Sequence, residues 1–301
     1  MLCLKPIKNE NYVVKKSVID LRSLDINKKK KVGSGSYNVV YPAVAKTKCK
    51  ESGTKVIYRV SKDSLENEAY FKQEIKMAIK MSNSGAGPMI YKAGIDSQDR
   101  GYLVMEFFPY SVRQLIDFPA KNKPSWVEIE KNLRIVIKKM ARGGIFCSDL
   151  KFRNAVARKG KSGKWEFRLI DFGEDFCAFR DNLYIPKKFR EEYKDYISGS
   201  KTNMDNILYC AMLIMMSINS EKTRRRNYKN ENPLFSKEIK NFPNDTKIYA
   251  LLIIAYGKSN ANNMLKPISQ ARHYYSENIE NFEKLYEIIT NEPLKKQVFK
   301  N

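Results

Sequence analysis

The sequence predicts an α+β fold in two parts, a small antiparallel β-rich part with one helix up to about Phe108 and a larger, mainly helical part beyond it. Three observations carry this expectation. Short runs before residue 108 alternate apolar and polar residues with the period of two that a half-buried strand requires. Beyond residue 108, apolar residues recur at helical spacing. Third, Lys31 to Tyr41 reads as a strand, a Gly-containing turn and a second strand, and no helical pattern follows Val40. A P-loop or a dinucleotide-binding loop would open into a helix there, so both are disfavoured. At 301 residues the chain can bury a full core as one two-lobed domain or two small ones. The division reads 1–27 as an N-terminal extension, 28–108 as the β-rich part and 109–301 as the helical part.

The elements follow in order. In the hairpin, Gly33, Ser34, Gly35 and Ser36 are small enough for backbone N–H groups to approach a phosphate, and Asn38 tolerates positive φ better than most non-Gly residues. Val56 to Val60 alternates, which puts Ile57 and Arg59 on one face and Val56, Tyr58 and Val60 on the other. Lys62 is a rival cation, but its odd spacing from Arg59 turns it to the opposite face if the strand continues. Leu65 to Met81 carries Phe71, Ile75, Ala78, Ile79 and Met81 at helical spacing, and Gly85, Gly87 and Pro88 end that helix. Tyr102 to Pro109 is an apolar strand that turns polar and stops at Pro109. Further on, Ile207–Met216 and Ile248–Tyr256 read as buried helices too short to span a bilayer, and the pattern from Ser217 onward is helical.

The chemistry sits in Asp149-Leu150-Lys151-Phe152-Arg153-Asn154, followed by Ile170-Asp171-Phe172-Gly173. An acid, an amide and a second acid in this order are what nucleotide phosphate transfer needs. One carboxylate orients a hydroxyl, while the amide oxygen and the other carboxylate hold Mg²⁺ on the phosphates. An isolated Asp-Phe-Gly would be no more than a turn; the paired order is far more specific.

With these motifs the chain resembles the eukaryotic-type protein kinase superfamily over about residues 28 to 290, which implies a bilobal fold with ATP and Mg²⁺ as cofactors. The hairpin resembles the family's glycine-rich loop over the phosphates, with Tyr37 in its turn, Asn38 where the third Gly would be and Val40 after it. The resemblance makes Arg59 stand where the family has its phosphate-clamping Lys, and Ile57 where it has a small residue on the adenine. Glu74 is the expected partner of Arg59, with Glu66 and Glu68 as alternatives. Met105 would guard the back pocket, the Glu106 carbonyl and the Phe108 N–H would bond the adenine, and Val156 would floor its pocket. Asp149 would orient the substrate hydroxyl and Lys151 would lie over the transferred group, a Lys that resembles the Ser/Thr class. Asn154 and Asp171 would bind Mg²⁺, Phe172 would pack inward and Gly173 would permit the turn. Asp205 matches the family's buried brace of the catalytic loop, or is a helix N-cap.

Departures from the family pattern shape the functional expectation. Cys147 and Ser148 replace the usual His and Arg, which removes the cation that grips a phosphorylated activation loop. An Ala-Pro-Glu motif is absent from the segment after Gly173, which weakens the case for peptide docking more than that for phosphate transfer. The expectation is therefore a Ser/Thr protein kinase that does not need activation-loop phosphorylation. Its alternatives are a nucleotide-binding pseudokinase or scaffold, and a small-molecule phosphotransferase of the aminoglycoside or choline kinase type.

Composition adds charge and cysteine. Lys and Arg number 56 against 33 Asp and Glu, a net charge of +23, with clusters at Lys28–Lys31, Lys187–Arg190 and Arg224–Arg226. A solvated basic surface accounts for this; so would an acidic protein substrate, or contact with nucleic acid or a membrane face. Five cysteines at unpaired spacings predict reduced thiols and an intracellular, cytoplasmic protein, and the single His273 excludes a His-based triad or zinc site within one chain. Met1 to Lys8 has no signal-peptide pattern. Lys-rich kinases with Arg on this strand are similar to those of large cytoplasmic DNA viruses, which would place the chain in host cytoplasm or virion.

Overall fold

Alternation and turn chemistry in the first hundred residues produce one sheet. In the computed structural model, residues 4–14, 23–34, 37–46, 53–65, 68–119, 123–147, 149–160, 162–172, 177–179 and 201–236 are described. The chain divides into two compact units, Met1–Pro109 and Tyr110–Asn301, and the architecture is mixed α+β.

The first unit holds β1 (Leu24–Ile26), β2 (Gly33–Ser34), β3 (Asn38–Ala45), β4 (Lys55–Ser61), helix α1 (Glu68–Ser84), β5 (Ile90–Ile95) and β6 (Gly101–Glu106). The strands form one antiparallel sheet in the order β1-β3-β4-β6-β5, with β2 paired to β3. Val56, Tyr58 and Val60 of β4 pack with Tyr102, Val104, Ala43, Ala45, Leu24 and Leu4 in one apolar cluster. Period-two geometry therefore leaves Ile57 and Arg59 on the opposite face. The segment read as an N-terminal extension contributes to this unit. Besides β1 and the buried Leu4, the Ile7 N–H donates to the Ile90 carbonyl and the Tyr12 hydroxyl to that of Ala93. Burial of that phenol raises the Tyr12 pKa, partly opposed by its bond to Ala93.

Helix α1 buries Phe71, Ile75, Met77, Ala78, Ile79 and Met81. Gly101 makes room for it: a Cβ there would lie 2.6 Å from the Phe71 ring. The helix begins three residues later and ends three residues later than the apolar pattern predicts, since packing rather than pattern sets its ends. The β5–β6 turn is built on Asp96. Its carboxylate accepts from the Gln98 and Arg100 N–H groups and is gripped by the Arg100 guanidinium at 2.8 and 3.0 Å.

The second unit holds β7 (Tyr110–Ser111), α2 (Val112–Ile116), α3 (Trp126–Arg142), β8 (Ile145–Cys147), a 3₁₀ turn (Phe152–Asn154), β9 (Ala155–Lys159), β10 (Trp165–Leu169), β11 (Cys177–Phe179) and α4 (Lys201–Asn227). Strands β10-β9-β7 form one antiparallel sheet and β11-β8 another. Helices α2 and α3 both start on a capping box, Ser111 with Gln114 and Ser125 with Glu128, which satisfies N–H groups that the helix itself leaves open. Helix α3 buries Ile129, Leu133, Val136, Ile137 and Met140, a stripe at helical spacing. The run expected as a short buried helix lies inside the 27-residue α4, which buries Leu208, Met212, Met215 and Met216. No helix among the described residues is long and apolar enough to cross a membrane. The second expected helix, 248–256, lies outside the described residues.

Candidate active site

In the first unit the ion pair that the resemblance implies between Arg59 and Glu74 forms. Arg59 Nη2 lies 2.7 Å from Glu74 Oε1, with the two side chains 16% and 17% exposed. Strand alternation aims Arg59 away from the apolar cluster, and the second turn of α1 brings Glu74 to meet it. The rival residues are engaged elsewhere or turned away. Glu68 pairs with Lys72 along the helix, the Lys62 side chain is exposed, and Glu66 lies outside the described residues. Guanidinium to carboxylate is a charge-assisted contact, and at this burial salt screens it far less than a surface pair.

The glycine-containing hairpin is an antiparallel β2–β3 pair, with Gly33 opposite Val40 and Ser34 opposite Val39. Tyr37 beside the turn is 79% exposed. One expectation is corrected here. Asn38 does not use the left-handed backbone that would make it a glycine substitute; it sits in regular strand opposite Ser61. Gly35 and Ser36 lie outside the described residues. Ile57 is buried and faces Met105 across the sheet. Glu106 closes β6 with both backbone and side chain engaged, its N–H donating to the Met89 carbonyl and its carboxylate accepting from the Met89 N–H. Phe108, two residues on, is buried.

In the second unit, β8 delivers the chain to Asp149 and the 3₁₀ turn gathers the other polar groups around it. Lys151 Nζ lies 2.8 and 2.6 Å from the two Asp149 carboxylate oxygens. Asn154 Nδ2 donates to the Asp149 carbonyl at 3.0 Å and to its Oδ2 at 3.1 Å. With its NH₂ turned to Asp149, the amide oxygen of Asn154 is left pointing away, as an oxygen donor to a hard cation must. The Asn154 carbonyl accepts from the Ile170 N–H at 2.8 Å, which ties the loop to the residue preceding Asp171. Strand register does the same, since Ala155 faces Leu169. Asp171 is exposed and adopts φ +70°, a left-handed conformation that Asp tolerates better than most side chains. It turns the chain sharply where β10 ends, a role expected of Gly173, which lies outside the described residues. Phe172 is buried. Val156 in β9 is half-buried between Arg168 and Ser111 on the neighbouring strands.

Buried aromatic packing holds this loop from below. Phe152 meets Trp126 edge to face at 6.2 Å, Trp126 lies tilted by 40° against Tyr228 at 4.9 Å, and Trp126 Nε1 donates to the Asn232 carbonyl. Burial, and secondarily the nearby Glu231 charge, raises the Tyr228 hydroxyl to about 12, so it remains a neutral donor, here to the Pro124 carbonyl.

Sequence reasoning missed two features. Asn219 of α4 donates to the Leu150 carbonyl at 2.9 Å across a sequence separation of 69. The expected brace, Asp205, sits half-buried near the start of the same helix. The other feature corrects the expectation of five reduced thiols: Cys147 and Cys177 form a disulfide, their Cα atoms 4.1 Å apart. They are direct cross-strand partners in the β8–β11 pair and both are buried. Only strand register brings them together, so spacing along the chain could not have revealed them.

Among the described residues no group of three or more His, Cys, Asp and Glu side chains is gathered as for a metal ion. An amide paired with one carboxylate is a different donor set, composed of hard oxygens, and it suits Mg²⁺, which keeps several of its own waters. No protein-family profile matches the chain, and no curated protein matches it.

Proposed function

We propose that this chain is an ATP- and Mg²⁺-dependent protein kinase of bilobal, kinase-like arrangement that transfers the γ-phosphoryl group to Ser or Thr hydroxyls. The observation that carries the reading is the hydrogen-bonded loop in which Asp149, Lys151 and Asn154 are joined to one another and, through the Asn154 carbonyl, to Ile170, the residue before Asp171. Asp149 has a carboxylate oriented by two neighbours, as a group that positions a hydroxyl and accepts its proton must have. Lys151 supplies positive charge beside it, where the transferred group gathers negative charge. Asn154 and Asp171 would hold Mg²⁺, whose chemistry when bound is charge neutralisation on the phosphates.

In the first unit, Arg59 supplies the phosphate-holding cation and Glu74 fixes its direction. Arg is permanently charged and forked, so it can serve a carboxylate and a phosphate oxygen together. The formed Arg59–Glu74 pair favours an active enzyme over a nucleotide-free scaffold. The net charge of +23 favours acidic protein substrates. With Ser148 at the expected Arg position, activity does not wait on phosphorylation of the segment after Asp171. The cysteine argument for an intracellular location loses its support with the Cys147–Cys177 pair.

The test is purified protein with labelled ATP and Mg²⁺, scored for transfer to itself, to acidic and basic proteins, and to small alcohols. Transfer to protein Ser or Thr is the expected result. Transfer to small alcohols alone would assign a small-molecule phosphotransferase, and nucleotide binding without transfer would assign a scaffold.

A further inference from the structure

Three consecutive carbonyls run through the centre of the loop, and each has a donor. The Asp149 carbonyl accepts from Asn154 Nδ2 at 3.0 Å and the Lys151 carbonyl from the Asn154 N–H at 2.9 Å. Both bonds come from within the loop, so they move with it and cannot set its position. The Leu150 carbonyl between them accepts from Asn219 Nδ2 at 2.9 Å, and Asn219 belongs to another element altogether.

We infer that Asn219 is a positioning residue that sets the placement of the Asp149–Lys151 pair through the Leu150 peptide, an inference that rests on the kinase reading. The mechanical argument is short. The Leu150 carbonyl belongs to the peptide group attached to the Lys151 Cα, and Lys151 Nζ holds the Asp149 carboxylate, so a rotation that frees this carbonyl disturbs the aim of the pair. Leu150 is 2% exposed, so water is a poor replacement donor for its carbonyl. Asn219 is itself well anchored. It follows the buried residues Met215, Met216 and Ser217 and precedes the buried Ser220, on a helix 27 residues long. The side chain therefore offers a fixed donor, from outside, to a loop held also by its own bonds and by Ile170. The three Asn-donated bonds and the Ile170 bond together account for every carbonyl of residues 149, 150, 151 and 154.

The chemistry of the amide sharpens the test. Asn219→Asp is nearly isosteric, but an ionised carboxylate cannot donate and sets a negative charge against the carbonyl. Asn219→Ala removes the donor without adding charge. Both variants are expected to lower kcat about ten- to hundredfold, because misplacement of a reacting group by about 1 Å can cost up to a hundredfold. KM for Mg-ATP should stay within about threefold of wild type, since the loop and not the nucleotide contacts is disturbed. As pH falls and the introduced carboxyl gains a proton to donate, the ratio of Asn219→Asp activity to wild-type activity should rise, with Asn219→Ala showing no such recovery.

Amide hydrogen exchange on both variants supplies a readout independent of catalysis. Loss of the tie should speed exchange at Asn154 and Ile170, whose N–H groups close the loop. Unchanged exchange at those two amides in both variants overturns the inference, as does wild-type kcat. So does a fall in kcat that only follows the fraction of folded protein. If wild type transfers no phosphate while both amides lose protection in the variants, the tie stands and the kinase reading fails.

Discussion

Arg59–Glu74 in the first unit and Lys151–Asp149 in the second are acid–cation pairs of nearly equal length, 2.7 and 2.6 Å, in very different surroundings. The first joins a strand to a helix, with both side chains more than four-fifths buried. The second joins two residues of one loop and is more open, 37% exposed at Lys151 and 22% at Asp149. A pair of the first kind exists only if β4 and α1 pack correctly, and losing one partner leaves the other charge in a poor solvent. A pair of the second kind forms wherever the loop backbone is held, so its geometry depends on what supports the backbone. In one region the fold makes the pair; in the other, hydrogen bonds to the main chain aim it.

The largest expected effect lies in the second region. On the proposed function, Asp149→Ala and Asp171→Ala should each lower phosphoryl transfer by about a hundredfold or more, one by removing the group proposed to orient the hydroxyl and the other the proposed metal ligand. Initial rates with labelled ATP measure this, and near-wild-type turnover by Asp171→Ala would remove the metal assignment.

Next comes the covalent support of the same region. The disulfide spans a sequence separation of 30 and encloses Asp149, Lys151, Asn154 and Asp171. Closing a loop of that length stabilises the fold by about 3–4 kcal/mol through the unfolded chain. Denaturant unfolding of oxidised protein, of reduced protein and of a Cys147→Ser/Cys177→Ser variant should show that difference, and coincident curves for all three would show that the pair adds nothing.

In the first region, Arg59→Ala should reduce Mg-ATP turnover by about ten- to a hundredfold, while Arg59→Lys keeps part of it as a shorter point charge. Lys62→Ala is the control and should be close to wild type. Were Lys62→Ala the inactive variant and Arg59→Ala the active one, the contrast between the two pairs would collapse.

The smallest effect concerns pH. Burial opposes ionisation of Asp96, but the Arg100 guanidinium and the Arg100 and Gln98 N–H groups outweigh it and hold the carboxyl below its ordinary value. A lowered folded-state pKa contributes stability that is full above the unfolded value, about pH 3.9, and is lost as pH falls through the folded one. Thermal unfolding between neutral and acid pH should therefore show a steeper acid loss in wild type than in Asp96→Asn, and parallel curves would contradict the assignment.

Much of the candidate site is legible in the sequence because its signals are local. Period two in Val56–Val60 puts Arg59 opposite the apolar cluster, while the choice of Glu74 as its partner came from the family resemblance. The nearness of Asp149, Lys151 and Asn154 along the chain already confines them to one loop. The resemblance places a turn at Gly173, while Asp171 itself takes positive φ, a state that Asp tolerates but that the sequence around it does not require. The freedom that Asn38 offers goes unused, since the sheet pairs it with Ser61.

What the sequence by itself determined is therefore the set of short-range facts: α+β class, antiparallel hairpins, the face that each strand residue occupies and the composition of the polar loop. These follow from periods of two and 3.6 and from turn chemistry, which are properties of neighbouring residues. Only the tertiary structure decided that the first residues complete the sheet, that Cys147 meets Cys177 and that Asn219 reaches Leu150 across a separation of 69. Each of these depends on register or packing between distant segments. Such contacts form because burying apolar surface selects one arrangement of the elements, and no pattern within a single segment encodes that arrangement.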